Sequence, residues 1–345
     1  YSSTLPKCFI ANVVSVAVLH ERGLISTRIA QRSNSKPKIT NMGSEKSFEE
    51  KSHEQHAEHY RQYGLGGENE VFAKTWLEKD TVDAWRHQRM YQTLDPILIT
   101  EPTATWLTVG DGRYGSDAKY ILESGCDALA SDISDVLLKE AAETGDIARY
   151  RKENAESLSF AASEFDYVFC KEAYHHFPRP MLALYEMLRV ANKVVFLIEP
   201  NDPYITDRLS GVLFRGIKRI VKMLLGMDAG KHSFEESGNY VYRISKREIE
   251  KVALGLNYKT VAFKVINDAF FSGVEHEKLS ANGPLQKKVK ILIHVTNFLC
   301  KIGIAEYGLL TAIIFKNKPS EELLLGLSEK GFEIIHLPDN PYISG

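Results

Sequence analysis

Three glycines in eight residues, Thr108-Val109-Gly110-Asp111-Gly112-Arg113-Tyr114-Gly115, carry the first chemical signal in this chain. They follow an apolar run, Ala104–Val109, and lead into a helix-like segment from Ser116 to Glu123. Strand, glycine turn and helix start together make a seat for a nucleotide-like ligand. Glycine lets the backbone turn tightly and lets a ligand approach with no Cβ in the way, and the N–H groups of the helix start face the same spot. Asp132 stands 20 positions after Gly112, at the end of a second apolar run, Ala128–Ala130. A carboxylate there can grip a ribose diol. The plainer readings are a tight turn and a helix cap, and a cap can coexist with ligand binding.

Further polar groups end later strand-like runs. Glu153-Asn154-Ala155-Glu156 is one such stretch, Lys171-Glu172-Ala173-Tyr174-His175-His176-Phe177 a second, and Glu199 in Ile198-Glu199-Pro200-Asn201-Asp202 a third. In open parallel sheets the ligand sits in the crevice at the carboxyl ends of the strands, so these groups converge. A histidine near neutral pH suits proton abstraction, which makes His175 and His176 the candidate bases. Glu199 either binds substrate or anchors its loop. Lys171 and Glu172 face the ligand or form an ordinary exposed pair. His53, His56 and His59 are spaced by three on a predicted helix. They read as a solvated face, and no metal site is expected.

The elements that must hold these residues follow from the pattern. Strand-like runs at Ala104–Val109, Ala128–Ala130, Tyr167–Cys170 and Val194–Ile198 alternate with helix-like segments at 116–124, 134–144 and 180–191. Such alternation implies an α/β fold with a mostly parallel sheet and helices on both faces. A helix at 245–255 opens on a capping box, Ser245 with Glu248, and strands follow at Thr260–Val265 and Leu309–Phe315. We divide the chain into a leader, 1–41, foreign to the fold; a helical lead-in, 42–100; a main domain, 101–318, with insertions at 201–244 and 268–306; and a tail, 319–345. The leader lies upstream of Met42-Gly43-Ser44 and is rich in Ser, Arg and Lys from 22 to 40. It reads as sequence before the natural start or as a targeting segment. The insertions sit where a ligand site is usually covered.

Composition excludes some classes. The chain has 345 residues, 44% apolar and 26% charged, ordinary values for a soluble globular protein. A net charge of -2 gives no global attraction to nucleic acid. The four cysteines, Cys8, Cys126, Cys170 and Cys300, have neither metal-ligand nor disulfide spacing. A reducing, cytoplasmic setting is the simple reading. Within the first insertion, 211–225 alternates apolar and basic residues as an amphipathic helix does. That segment is a lid helix or a membrane-surface contact, and Lys287-Lys288-Val289-Lys290 followed by an apolar run gives a second hint of the same kind.

At this point the chain resembles the class I S-adenosylmethionine-dependent methyltransferases of the ubiquinone-biosynthesis-like group. The glycine motif matches Val109 to Gly115, and the ribose acid matches Asp132 in Ala130-Ser131-Asp132-Ile133. The adenine-flanking stretch matches Asn154-Ala155-Glu156-Ser157-Leu158-Ser159-Phe160. The fourth strand and its loop match Phe165-Asp166-Tyr167-Val168 and His175-His176-Phe177, and the next helix matches Glu186-Met187-Leu188-Arg189-Val190. The resemblance spans roughly 100–200, and more loosely 245–318. Departures are Thr108 for the motif's acid, a G-x-G-x-x-G spacing, Asn154 for an Asp, and Ala191-Asn192-Lys193 where the family has Pro-Gly-Gly.

The resemblance implies a Rossmann-like, doubly wound sheet of seven strands. It implies S-adenosylmethionine as cofactor, held by Gly110, Asp111, Gly112, Gly115, Asp132, Asn154, Ala155 and Lys171. Methyl transfer to O or C of a small-molecule acceptor is the expected reaction, with His176, His175 and Glu199 as catalytic candidates. The alternatives are a non-catalytic cofactor-binding protein and an NAD-dependent oxidoreductase or epimerase, whose glycine fingerprint is similar. Against the oxidoreductase reading, about 100 residues precede the glycine turn, whereas that class places it at the chain start.

Overall fold

The computed structural model describes residues 46–202 and 239–342, with Gly216 and Phe234 between them. Side chains of the central strands alternate between two buried clusters, as a period of two requires. In β1, Thr105–Val109, Trp106 joins one cluster while Leu107 and Val109 join the other. In β5, Ala191–Pro200, Val194, Phe196 and Ile198 face the first cluster, and Val195 and Leu197 face the second. Strands buried on both faces read as continuous apolar runs, which is why they stood out in the sequence.

The lead-in supplies α1 (Phe48–Arg61), α2 (Glu70–Lys74), α3 (Val82–Tyr91) and α4 (Asp95–Thr100). β1 is followed by α5 (Ser116–Glu123), β2 (Asp127–Asp132), α6 (Val136–Glu143), β3 (Tyr150–Lys152), β4 (Phe165–Lys171), α7 (Pro180–Val190) and β5. Then come α8 (Lys246–Gly255), β6 (Thr260–Ile266), α9 (Pro284–Lys301), β7 (Leu309–Phe315), α10 (Glu321–Glu329) and β8 (Glu333–His336). The strand order is β3-β2-β1-β4-β5-β7-β6-β8. β3, β2, β1, β4 and β5 pair in parallel, and β7 runs antiparallel between β5 and β6. The order reverses at β1, between β2 and β4, which opens the crevice where ligands of such sheets bind. Helices α5, α6 and α10 pack on one face, and α7 and α8 on the other.

The sheet has eight strands among the described residues, one more than expected. The extra strand, β8, lies in the stretch 319–345 that the sequence pattern set apart as a tail. Its residues, Glu-Ile-Ile-His, are too few to show a periodicity, and they pair only at the edge, antiparallel to β6. Within the insertion 268–306, α9 opens on Pro284 after Gly283, the expected order at a helix start. The insertion 201–244 leaves and returns at one place. Asn201 bridges Ile244, and Asp202 N donates to Ile244 O at 2.9 Å. The basic amphipathic segment 211–225 falls almost wholly outside the described residues.

Candidate active site

At the end of β1 the chain turns through Gly110 at φ 79°. The amides of Gly110 and Asp111 both donate to Ser131 O, at 2.9 and 3.0 Å, and clamp the turn to β2. A Cβ on Gly110 would overlap the Cβ of Ala173, so the glycine also permits close approach of β1 to the loop after β4. A Cβ on Gly112 would stand 2.8 Å from Tyr60 Cε1 and 2.9 Å from Asp132 Oδ2. The turn, the second-strand acid and the lead-in helix α1 therefore meet at one point. Gly115, at φ 64°, is the N-cap residue of α5 and offers no side-chain cap.

Asp111 supplies the missing cap. Its Oδ1 accepts from Asp117 N at 3.0 Å, and its Oδ2 accepts from Ala118 N at 2.9 Å and from Thr108 Oγ1 at 2.8 Å. Burial, and then the neighbouring Asp117, push its carboxyl well above the usual range. Asp111, expected to bind the cofactor, directs its side chain at the start of α5. It also explains Thr108. With the acid three residues further along, a hydroxyl donor at 108 is its complement.

Asp132 is buried and points at the glycine turn. Ser134 N donates to its Oδ1 at 2.8 Å, and burial raises its carboxyl pKa to about 7 despite those backbone donors. It is not the cap of α6, whose N-cap residue is Asp135. Asn154 Oδ1 accepts from Glu156 N at 3.0 Å. Glu156 in turn accepts from Arg179 N at 2.6 Å and Nε at 2.8 Å, and Arg179 Nη1 reaches Glu49 of α1 at 3.2 Å. The stretch from Asn154 to Glu156 is thus braced from within and tied to the lead-in helix.

The loop after β4 hangs on Glu199. This carboxylate is fully buried and accepts from Ala173 N at 3.0 Å, Tyr174 N at 2.9 Å and His175 Nδ1 at 2.7 Å. Of the two roles weighed for Glu199, the geometry gives it the anchoring one. The His175 and His176 rings lie 3.9 Å apart, and the His176 ring is 6.2 Å from His56 of α1. His176 O accepts from Asn239 Nδ2 at 2.8 Å.

One crevice is lined by Gly110, Asp132, Asn154, Ala155 and His176, with Ser52, His53, His56 and Asn239 closing it. Four of the eight expected cofactor residues therefore share it. Gly112 and Gly115 shape the turn behind it. Lys171, expected there too, lies elsewhere. Its ammonium sits 3.4 Å from Asp117 Oδ1, 3.6 Å from Glu172 Oε2 and 3.4 Å from His87 Nδ1. Burial opposes that charge, but Asp117 and Glu172 outweigh it and raise the Lys171 pKa. Burial, and then Lys171, hold His87 well below the imidazole range. Glu172 holds a left-handed backbone at φ 50°, a strained state of the kind that clusters at functional sites. Sequence reasoning missed Ser52, Tyr60 and Asn239 as neighbours of the crevice or its turn. The only available signal was the spacing of Ser52, His56 and Tyr60 by four on α1.

Residues 107–198 match the family model for a methyltransferase domain. The chain carries a class I S-adenosylmethionine-dependent methyltransferase domain. No curated protein matches the sequence. Among solved structures, it is similar to a magnesium protoporphyrin IX methyltransferase from Synechocystis with bound S-adenosylhomocysteine, at 14% identity, 77% of this chain, 95% of that chain and TM-score 0.41. A Burkholderia thailandensis 1,6-didemethyltoxoflavin-N1-methyltransferase, with its substrate and S-adenosylhomocysteine bound, matches at 10% identity, 80% and 94% coverage and TM-score 0.44. A Bacillus subtilis protein, YcgJ, matches at 19% identity, 66% and 99% coverage and TM-score 0.40.

The methyltransferase crevice suits its cofactor on two physical counts. The glycines at 110 and 112 let Ala173, Tyr60 and Asp132 close around the turn, so that polar groups converge on the crevice. Among the described residues, Ser52 Oγ and Asn239 Oδ1 are buried without a hydrogen-bond partner, and both residues line the crevice. The His176 carbonyl fixes the Asn239 amide so that Oδ1 is the acceptor left over. Buried polar groups normally find partners, so two orphans at one crevice point to a polar ligand there.

Proposed function

We propose that the protein transfers the methyl group of S-adenosylmethionine to an oxygen or carbon of a small-molecule acceptor. The observation that carries this reading is the convergence on one crevice of the glycine turn, Asp132, Asn154-Ala155 and two orphaned polar atoms. Asp132 receives the ribose hydroxyls, beside the turn that begins at Gly110. Ser52 and Asn239 supply partners from the opposite side. When bound, the cofactor offers an electrophilic methyl carbon on a sulfonium. The chain's task is then chiefly to bring a nucleophile into line with it and to exclude water. His176, on the loop bordering the crevice, takes the proton of a hydroxyl or carbon acid. Glu199 and His175 hold that loop. The Nδ1 contact of His175 with Glu199 fixes the ring, leaving proton exchange to its Nε2 side. The acceptor lies beside His176.

The test is transfer of label from methyl-labelled S-adenosylmethionine to a panel of phenols, sugars, amines and carbon acids. The reading expects product with an oxygen or carbon nucleophile, and loss of product in His176→Ala. Label transfer only to amines would overturn the acceptor class. Absence of cofactor binding would overturn the whole reading.

A further inference from the structure

Helix α9 is apolar on two sides. Val289, Ile293 and Cys300 are buried, the first two against Val82, Ala269 and Val274. On the opposite side Ile291, Val295, Phe298 and Ile302 follow each other at intervals of four, three and four, the spacing of one helical stripe. All four are exposed, Ile291 by 64% and Phe298 by 61%. Single exposed apolar side chains are ordinary, but a row of four marks an interaction surface.

The charge on the same helix says what the partner is. Lys287 and Lys288 stand in its first turns, Lys290 follows, and Lys301 ends it, with no acidic residue in its 18 positions. The whole chain carries a net charge of -2, so α9 concentrates positive charge locally. Lys288 Nζ lies 4.0 Å from the Phe271 ring centroid and Lys290 Nζ lies 5.6 Å from that of Trp85, so both cations rest over aromatic faces. An apolar stripe between cations complements a surface that is anionic outside and apolar within, which is a bilayer containing acidic lipid. No described helix is long and apolar enough to cross a membrane, so the contact is peripheral.

We propose that α9 docks the protein on anionic bilayer surfaces through Ile291, Val295, Phe298 and Ile302, with Lys287 and Lys301 at the headgroups. This goes beyond methyl transfer and stands or falls separately from it. The experiment is co-sedimentation of the full chain with phosphatidylcholine vesicles, with and without phosphatidylserine. The proposal expects binding only to the anionic vesicles, weakened by salt and weakened about fivefold for each lysine removed in Lys287→Ser and Lys301→Ser. Ile291→Ser/Phe298→Ser should abolish binding while leaving the circular dichroism spectrum and cofactor affinity unchanged. No binding to anionic vesicles overturns the proposal. So does binding indifferent to these four substitutions, or a dimer that Phe298→Ser dissociates in a chain that ignores vesicles.

Discussion

Gly110 and Ala173 stand so close that a Cβ on the glycine would overlap the alanine methyl. The first joins β1 to the glycine turn, and the second begins the loop that carries His175 and His176. Their contact sets the floor of the crevice. Gly110→Ala adds this overlap to the cost of a left-handed alanine, about 1–2 kcal/mol. We expect a lower Tm by calorimetry, about 2–4 °C for each kcal/mol in a chain of this size, and weaker S-adenosylhomocysteine binding. Adding Ala173→Gly should restore part of the stability, because it removes the overlap and leaves only the backbone term.

Asp132 gives cofactor affinity a pH dependence. Burial raises its carboxyl to about 7 in the folded chain, whereas an unfolded aspartate titrates near 3.9. The folded state therefore holds the proton more tightly. Its stabilising contribution is complete below the unfolded value and is lost as pH rises toward 7. Binding the ribose diol with both oxygens requires the proton to leave. Affinity for S-adenosylhomocysteine should fall below pH 7, by at most about tenfold per pH unit. In Asp132→Asn this dependence should vanish, and the variant should lose less stability than wild type between pH 4 and 7.

Ser52→Ala should separate stability from binding. The hydroxyl is buried with no partner, so removing it from the ligand-free protein should leave Tm unchanged or slightly higher. If Ser52 completes the cofactor site, the same change should weaken S-adenosylhomocysteine binding by about 0.5–1.5 kcal/mol. Isothermal titration and thermal unfolding on the same preparation check both signs.

His176 and Glu199 should fail differently. His176→Ala should lower turnover by about 10²–10⁴ with cofactor affinity nearly unchanged, as removal of a general base does. Glu199→Gln puts an amide where Ala173 N, Tyr174 N and His175 Nδ1 all approach one buried carboxylate. It should cost stability, about 1–3 kcal/mol, as well as activity. Paired Tm and kcat measurements on the two variants distinguish a base from an anchor.

Much of this was legible in the chain itself. Buried strands of a parallel sheet are near-continuous apolar runs, so β1, β4, β5 and β7 announced themselves, and Gly110 and Asp132 followed from their places at strand ends. β3 and β8 did not show, being short edge strands with mixed residues. Site residues set by three-dimensional closure were also hidden. Ser52 and His56 reach the crevice from a helix some fifty positions upstream of Gly110, and Asn239 reaches it from the far end of the first insertion. The direction of the Asp111 side chain did not show either, because a motif position gives a residue type and no side-chain direction. Its carboxylate turned to the open helix start of α5, where Gly115 leaves the backbone donors uncapped.

The most direct measurement is isothermal titration of the purified chain with S-adenosylhomocysteine and, separately, with NAD. The account predicts saturable binding of S-adenosylhomocysteine, weakened in Asp132→Asn and in Ser52→Ala, and no heat of binding with NAD. Binding of NAD without binding of S-adenosylhomocysteine would contradict it, and so would S-adenosylhomocysteine binding that neither substitution alters.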